Sequence, residues 1–352
     1  MTEQQWNLLE AAVNQTNTEL PVGLIVDSPW MPGYCGIDNL QFFTQPDSWF
    51  GAYRKIKADF PETIFLPDWW NEFGMATEPS GFGVKVDFYA DNLPTVHHII
   101  KDIEDVDTIN ALEVPDPGKS GLMPLLLSLQ RYMLPRIRDL GDDMQIVSTR
   151  GPLTIASHLM ELTELLAGIK TEEAAVHTLL KKTTQLCKNW LEAQLENVKT
   201  AKGILVLDDV CGFLNDEDFT EYAFPYLKDI FDTFGEQMHL FHNDTANDVC
   251  SSYLEELGVD VFNFTHKKDI AEVKKKVGRK VVLLGNVPPM SLVKESPETV
   301  KAQTESVIRS YMDANGGDFR GLLVSTGGGM PMGASYQNTR ALIDAVKDFK
   351  FG

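Results

Sequence analysis

Residues 238–244 read Met-His-Leu-Phe-His-Asn-Asp, MHLFHND, an apolar run that stops abruptly in a polar cluster. Such a run is what a strand looks like when it delivers chemistry to the edge of a barrel. His239 and His242 are two of only seven histidines in the 352 residues, and no cysteine joins them. The cluster offers metal-ligand atoms of nitrogen and oxygen type. Seven further runs of the same kind recur along the chain: 21–27, 63–69, 145–151, 203–210, 259–265, 281–287 and 321–328. Most are continuously apolar rather than alternating, as strands buried on both faces of a parallel sheet are.

Helical stretches separate the runs at 154–167, 171–200, 216–235, 246–257, 268–277 and 297–315, and 338–349 closes the chain. Asn215 is placed to cap the helix that carries Asp216, Glu217 and Asp218 in its first turn, where acidic groups suit the helix dipole. Eight β-α units in order predict an α/β fold, a (β/α)8 TIM barrel. A doubly wound sheet would show a glycine-rich phosphate fingerprint after its first strand, and DSPWMPGYCG (27–36) is no such fingerprint. Residues 1–15 form an N-terminal helical extension. The long interval 70–144 is an insertion between strands 2 and 3, with extended segments at VKVDFYAD (84–91) and a helix near 121–139. No repeat, linker or low-complexity tract divides the chain, so residues 1–352 are expected to form one barrel domain.

The net charge of −20 argues against nucleic acid and against an anionic membrane surface. No run approaches the roughly 20 apolar residues of a membrane span, and the first residues carry no secretory signature. Cys35, Cys187, Cys211 and Cys250 are scattered without a CxxC pair, so neither a disulfide framework nor a cysteine zinc site is signalled. A cytoplasmic location is expected, and a homodimer is compatible with the sequence.

In a barrel of this class the active site gathers at the C-terminal strand ends. Reading those ends gives Asp27; Asp68 with Trp69 and Trp70; Arg150; Asp208 with Asp209; His242 with Asn243 and Asp244; Asn286; and Thr326 before Gly327 to Gly329. The set is rich in carboxylates and poor in basic groups, which suits a bound cation or a neutral substrate. Bland alternatives stand beside each residue. His239 could be a hydrogen-bonded core histidine, Asp208 and Asp209 could cap backbone amides, and Arg150 could pair structurally with a carboxylate. Trp69 and Trp70 could be pocket wall or core, and the glycine run could be a turn or a surface for close ligand approach.

Several segments in order carry a resemblance: PVGLIVDSPWMPGY (21–34), WNEFGM (70–75), GPLTIASHLM (151–160), DDVCGFLNDEDFTEYAFPYLKDI (208–230), LLGNVPPMSL (283–292) and GGGMPMGASYQNTRALIDAV (327–346). Together they resemble the superfamily of uroporphyrinogen decarboxylases and cobalamin-dependent methyltransferases, over nearly the whole chain. The resemblance implies a (β/α)8 barrel. Decarboxylases of this superfamily carry an arginine-rich segment after the first strand; here Asp27 to Pro32 contains no arginine. The members that methylate coenzyme M bind zinc through His-x-Cys and a distant cysteine. On that alignment His239 takes the histidine's place, while Phe241 and Gly328 stand where the thiolates would be.

The methyltransferases of bacterial O-demethylase systems use two glutamates and a histidine for zinc, and Glu221 and His242 reproduce one of the two spacings. The other glutamate would fall at Val206, with Asp208 the nearest carboxylate. The resemblance to this branch implies a methyltransferase that moves a methyl group from a small methoxylated substrate to a corrinoid on a carrier protein. It implies zinc held by Asp208, Glu221 and His242, and Asp209 or Asp244 orienting His242. Asp27 and Asn286 complete the expected catalytic groups. Trp30, Trp69, Trp70, Arg150 and Met330 are the expected substrate contacts. Two rival readings remain: a metal-free decarboxylase or lyase of a small acid using Asp27 and His242, and a non-catalytic tetrapyrrole-binding accessory.

Overall fold

The computed structural model describes residues 1–351. The chain forms ten strands: β1 Gly23–Ile25, β2 Ile64–Leu66, β3 Lys85–Asp87, β4 Thr95–His97, β5 Ile146–Arg150, β6 Gly203–Leu207, β7 Met238–Asn243, β8 Val261–Phe264, β9 Val282–Val287 and β10 Leu322–Thr326. All eight runs read as strands from the sequence are strands. Their residues are buried almost without exception, which is why the runs are continuously apolar.

β5 to β10 form one parallel sheet in sequential order, and β1 pairs in parallel with β2. A parallel bridge between Val22 and Val324 joins β1 to β10. The ring therefore runs β2-β1-β10-β9-β8-β7-β6-β5, with helices outside it; β1 meets β10 through that single bridge, and among the described residues no pairing joins β2 to β5. Side chains close part of that seam. The Glu78 carboxylate accepts from the Arg150 backbone N–H at 2.8 Å, and the Gln194 amide donates to the Ser148 carbonyl at 2.9 Å. Buried backbone groups need partners, and here carboxylate and amide groups replace a neighbouring strand.

The N-terminal helix Glu3–Val13 is closed by a capping box between Thr2 and Gln5, and it buries Trp6, Leu9 and Ala12. The insertion contains β3 and β4 as an antiparallel pair and the helix Met123–Arg138, as its sequence suggests. Three helical expectations need correction. The 154–167 segment is two helices, Pro152–Leu159 and Leu162–Thr171, because the backbone turns extended at Met160. The 216–235 segment breaks at Ala223, because Pro225 begins a new helix, Phe224–Thr233. The 246–257 segment is a 3-10 turn at Val249–Ser252 and one short helix at Leu254–Leu257, ended by Gly258 with φ 79°. Asn215 caps Asp216–Tyr222 as expected, its side chain accepting from the Asp218 N–H.

Candidate active site

β7 sorts its residues by period two. His239 and Phe241 face outward, where both pack against Phe231 of the surrounding helix. The His239 ring nitrogens lie 2.7 and 2.9 Å from the carbonyl oxygens of Gly258 and Phe234. This histidine is a cross-link in the wall. The alignment that set His239 and Phe241 against a His-x-Cys pair therefore places them on the wrong face. The same two-residue spacing is carried inward by His242 and Asp244.

His242 Nδ1 lies 2.8 Å from the Asn263 side-chain oxygen, directly across the β7–β8 ladder. The Asn263 amide nitrogen donates to the carbonyls of Leu284 and Thr326. That fixes which way the amide points, so its oxygen must accept. Nδ1 is then a donor to that oxygen, and Nε2 is the nitrogen turned toward whatever sits in front of it. In front of it are Asp209, with Oδ1 at 3.6 Å, and Asp244. One ligand atom from each of Asp209, His242 and Asp244 lies within 4.8 Å of the others. The Asp244 backbone N–H donates to Asp209 Oδ1 at 3.1 Å, which ties the two loops together. Burial pushes the Asp244 carboxyl up from its ordinary value, and the Asp209 charge adds to this while His242 opposes it. Gly328 has φ 127°, and a Cβ there would collide with the Asp244 carboxylate. That carboxylate occupies the space beside the position expected to hold a second thiolate.

The triad opens on a cavity of about 230 Å³ lined by Ile25, Asp27, Pro29, Met75, Arg150, Thr154, Leu207, Asp209, His242, Asp244, Gly329 and Met330. Asp27, Arg150, Asp209, His242 and Asp244 of the strand-end list thus gather in one place, together with Met330.

Other expected site residues lie elsewhere. Asp208 turns away to the start of the helix Pro152–Leu159 and accepts from the N–H groups of Leu153 and Thr154 and from the Thr154 hydroxyl. The N-cap residue there is Gly151, which has no side chain of its own to use, and a Cβ at 151 would strike Asp208. Burial pushes the Asp208 carboxyl up to about 7, with those hydrogen bonds pulling the other way. Glu221 is exposed on the outer helix Asp216–Tyr222, 3.6 Å from His177, and does not approach His242. The ligand set Asp208, Glu221 and His242 is therefore not assembled, because the helix between two adjacent strands carries Glu221 outside the ring.

The aromatic and amide expectations also shift. Trp30 is core, donating to the Ala334 carbonyl and packing on Tyr34. Trp69 is stacked between Phe50 and Tyr53. Trp70 lies one layer behind the cavity wall, its ring 4.6 Å from the Arg150 guanidinium. Asn286 donates to the carbonyls of Thr265 and Lys268 and pins the loop after β8. Asp68 belongs to an ion pair with Lys57 at 2.6 Å.

Sequence reasoning overlooked three groups. Asn263 interrupts the apolar run VDVFNFT, and that interruption was the available signal. Glu72 accepts from the Ser28 N–H at 3.1 Å and pairs with Arg150 at 2.5 Å, so it locks the loops after β1, β2 and β5 to one another. Glu78 is buried beside them, and burial raises its carboxyl above the ordinary range. Nothing in the composition marks a glutamate for burial; only the WNEFGM segment drew attention to Glu72.

A strand-end cavity with an inward histidine and two carboxylates, in a (β/α)8-type ring, defines an enzyme-class scaffold. The Uroporphyrinogen decarboxylase (URO-D) family profile matches residues 71–349, and the chain belongs to that family. It is 24% identical over 284 residues to a uroporphyrinogen decarboxylase of Aliivibrio salmonicida, covering 77% of this chain and 76% of that protein. It is 27% identical over 224 residues to the decarboxylase of Shewanella loihica, covering 60% and 61%. Among solved structures, a methyltransferase from Methanosarcina mazei superimposes with a TM-score of 0.80 over 98% of both chains, at 18% identity. That likeness is one of fold. No helix is long and apolar enough to cross a membrane.

Proposed function

We propose that the protein is a corrinoid-dependent methyltransferase that moves a methyl group from a small methoxylated substrate to a cob(I)alamin carrier protein. The observation that carries this reading is the open Nε2 of His242, held by Asn263 and facing the carboxylates of Asp209 and Asp244. An imidazole and two carboxylates with room for a fourth ligand suit a catalytic zinc ion. Asp209, His242 and Asp244 would hold it, and when bound it would supply Lewis-acid polarisation of the ether oxygen. The other residues bind and orient. Ile25, Leu207 and Met330 offer an apolar wall to the substrate skeleton, and Asn263 keeps the His242 tautomer fixed.

The named relatives decarboxylate uroporphyrinogen, but the cavity argues for another substrate here. Residues 27–32 offer no arginine, and the one arginine at the cavity is already paired with Glu72. A substrate with many carboxylates would meet Asp27, Asp209 and Asp244 instead, at about several kcal/mol for each desolvated and unpaired charge. Metal analysis of the purified protein, followed by methyl transfer from a panel of methoxylated aromatics to cob(I)alamin, tests the proposal. Stoichiometric zinc with formation of methylcobalamin is the expected result. Metal-free protein that forms none, or decarboxylation of uroporphyrinogen, sinks it.

A further inference from the structure

Asp27 faces the same cavity from the other side. In the strand order β1 lies four places from β7, half of the eight-strand ring. Its side chain is half-buried, and its Oδ1 atom, shielded from solvent, has no hydrogen-bond partner. The nearby cation is Arg150, yet the Arg150 guanidinium is engaged by Glu72 at 2.5 Å and stacked on Trp70. The remaining charged or titratable groups around Asp27 are Glu72 and Asp244, with Asp209 and His242 in the same cavity. None of the carboxylates among them stabilises a second anion. A carboxylate oxygen shut off from water without a partner is costly, and holding a proton removes the cost.

We propose that Asp27 is the proton donor to the leaving oxygen of the methyl ether, an assignment that rests on the methyl-transfer reading above. Burial, reinforced by the Glu72 charge and opposed by Arg150, holds the Asp27 carboxyl well above the usual carboxylate range, in keeping with that role. The step balances as follows. The cobalt(I) acceptor contributes the electron pair of the new cobalt–carbon bond and becomes cobalt(III). The carbon–oxygen bond breaks with its pair on oxygen, and that oxygen takes the Asp27 proton. Substrate leaves as a neutral phenol or alcohol, and Asp27 recovers a proton from solvent through the cavity mouth. Departure as a neutral molecule suits an acidic cavity, where an alkoxide would be repelled.

Asp27→Asn tests this with methyl ethers graded by leaving group, using cob(I)alamin as acceptor. Transfer from 4-methoxyphenol, whose leaving group is basic, is expected to slow by about 100- to 1,000-fold, in the range of a lost general acid. Transfer from 4-nitroanisole, whose leaving group needs little help, is expected to slow by less than about 10-fold, with zinc content unchanged. The infrared difference spectrum, wild type minus variant at neutral pH, is expected to show a protonated carboxyl band. Equal losses across the series, or no such band while wild type transfers methyl groups, overturn the role of Asp27. A wild-type protein that transfers from none of the ethers overturns the underlying methyl-transfer reading instead, and the infrared band separately reports whether Asp27 holds a proton. If the Asn variant fails to fold, Asp27→Ser is judged in the same assays by the same criteria.

Discussion

His239 and His242 sit three residues apart on one strand and differ in what surrounds their second nitrogen. Both nitrogens of His239 are met by backbone carbonyls, so the ring is spent on holding the wall together. In His242 one nitrogen is met by Asn263 and the other faces two carboxylates. Asp208 and Asp209 repeat the contrast one strand away. Asp208 satisfies the start of a helix, whereas Asp209 turns to the cavity. A polar side chain whose valences are all used locally is structure, and one with a valence left over toward a cavity is available for chemistry.

The sharpest way to break the comparison is His242→Ala. Metal affinity is expected to fall by more than about 100-fold, beyond the 10- to 100-fold typical of losing an outer partner, with the fold retained. Elemental analysis checks it, and unchanged stoichiometric zinc would remove His242 from the ligand set. Next in size is Asn263→Ala, which frees the ring to choose its tautomer. A loss of about 10- to 100-fold in zinc affinity is expected from competition with a chelator. His239→Ala should behave oppositely, leaving zinc bound while stability in urea drops by about 2–3 kcal/mol, from a lost buried ring and exposed carbonyls. Asp208→Ala is expected to cost about 1–2 kcal/mol through the uncapped helix, again with metal retained. Glu221→Gln should change neither quantity measurably; weaker zinc binding there would restore the ligand set read from the sequence.

The strands were legible because burial on both faces leaves no alternation to misread, and eight continuous runs survive any local error. That same continuity hid the site. A strand apolar on both faces does not reveal which of its residues point inward; its place at the strand end favoured His242 over His239, while Phe241 could still be aligned with a metal ligand. The spacing of Glu221 to His242 misled for a related reason: counting along a chain ignores the helix that carries Glu221 to the outside. Asp27 and Arg150 could be placed at the cavity because strand ends in this architecture converge. Trp30 and Trp69 were misassigned because a large aromatic near a strand end fills core as readily as it lines a pocket.

The seam between β2 and β5 has an evolutionary consequence. Within the six-strand sheet from β5 to β10, changing the length or register of an inner strand disturbs a ladder on both sides. At the seam, Glu72 and Glu78 reach across from the insertion to hold Arg150. New loop lengths between residues 79 and 144 can therefore be tried without re-threading the sheet. The insertion can vary there while the frame beside it stays as it is.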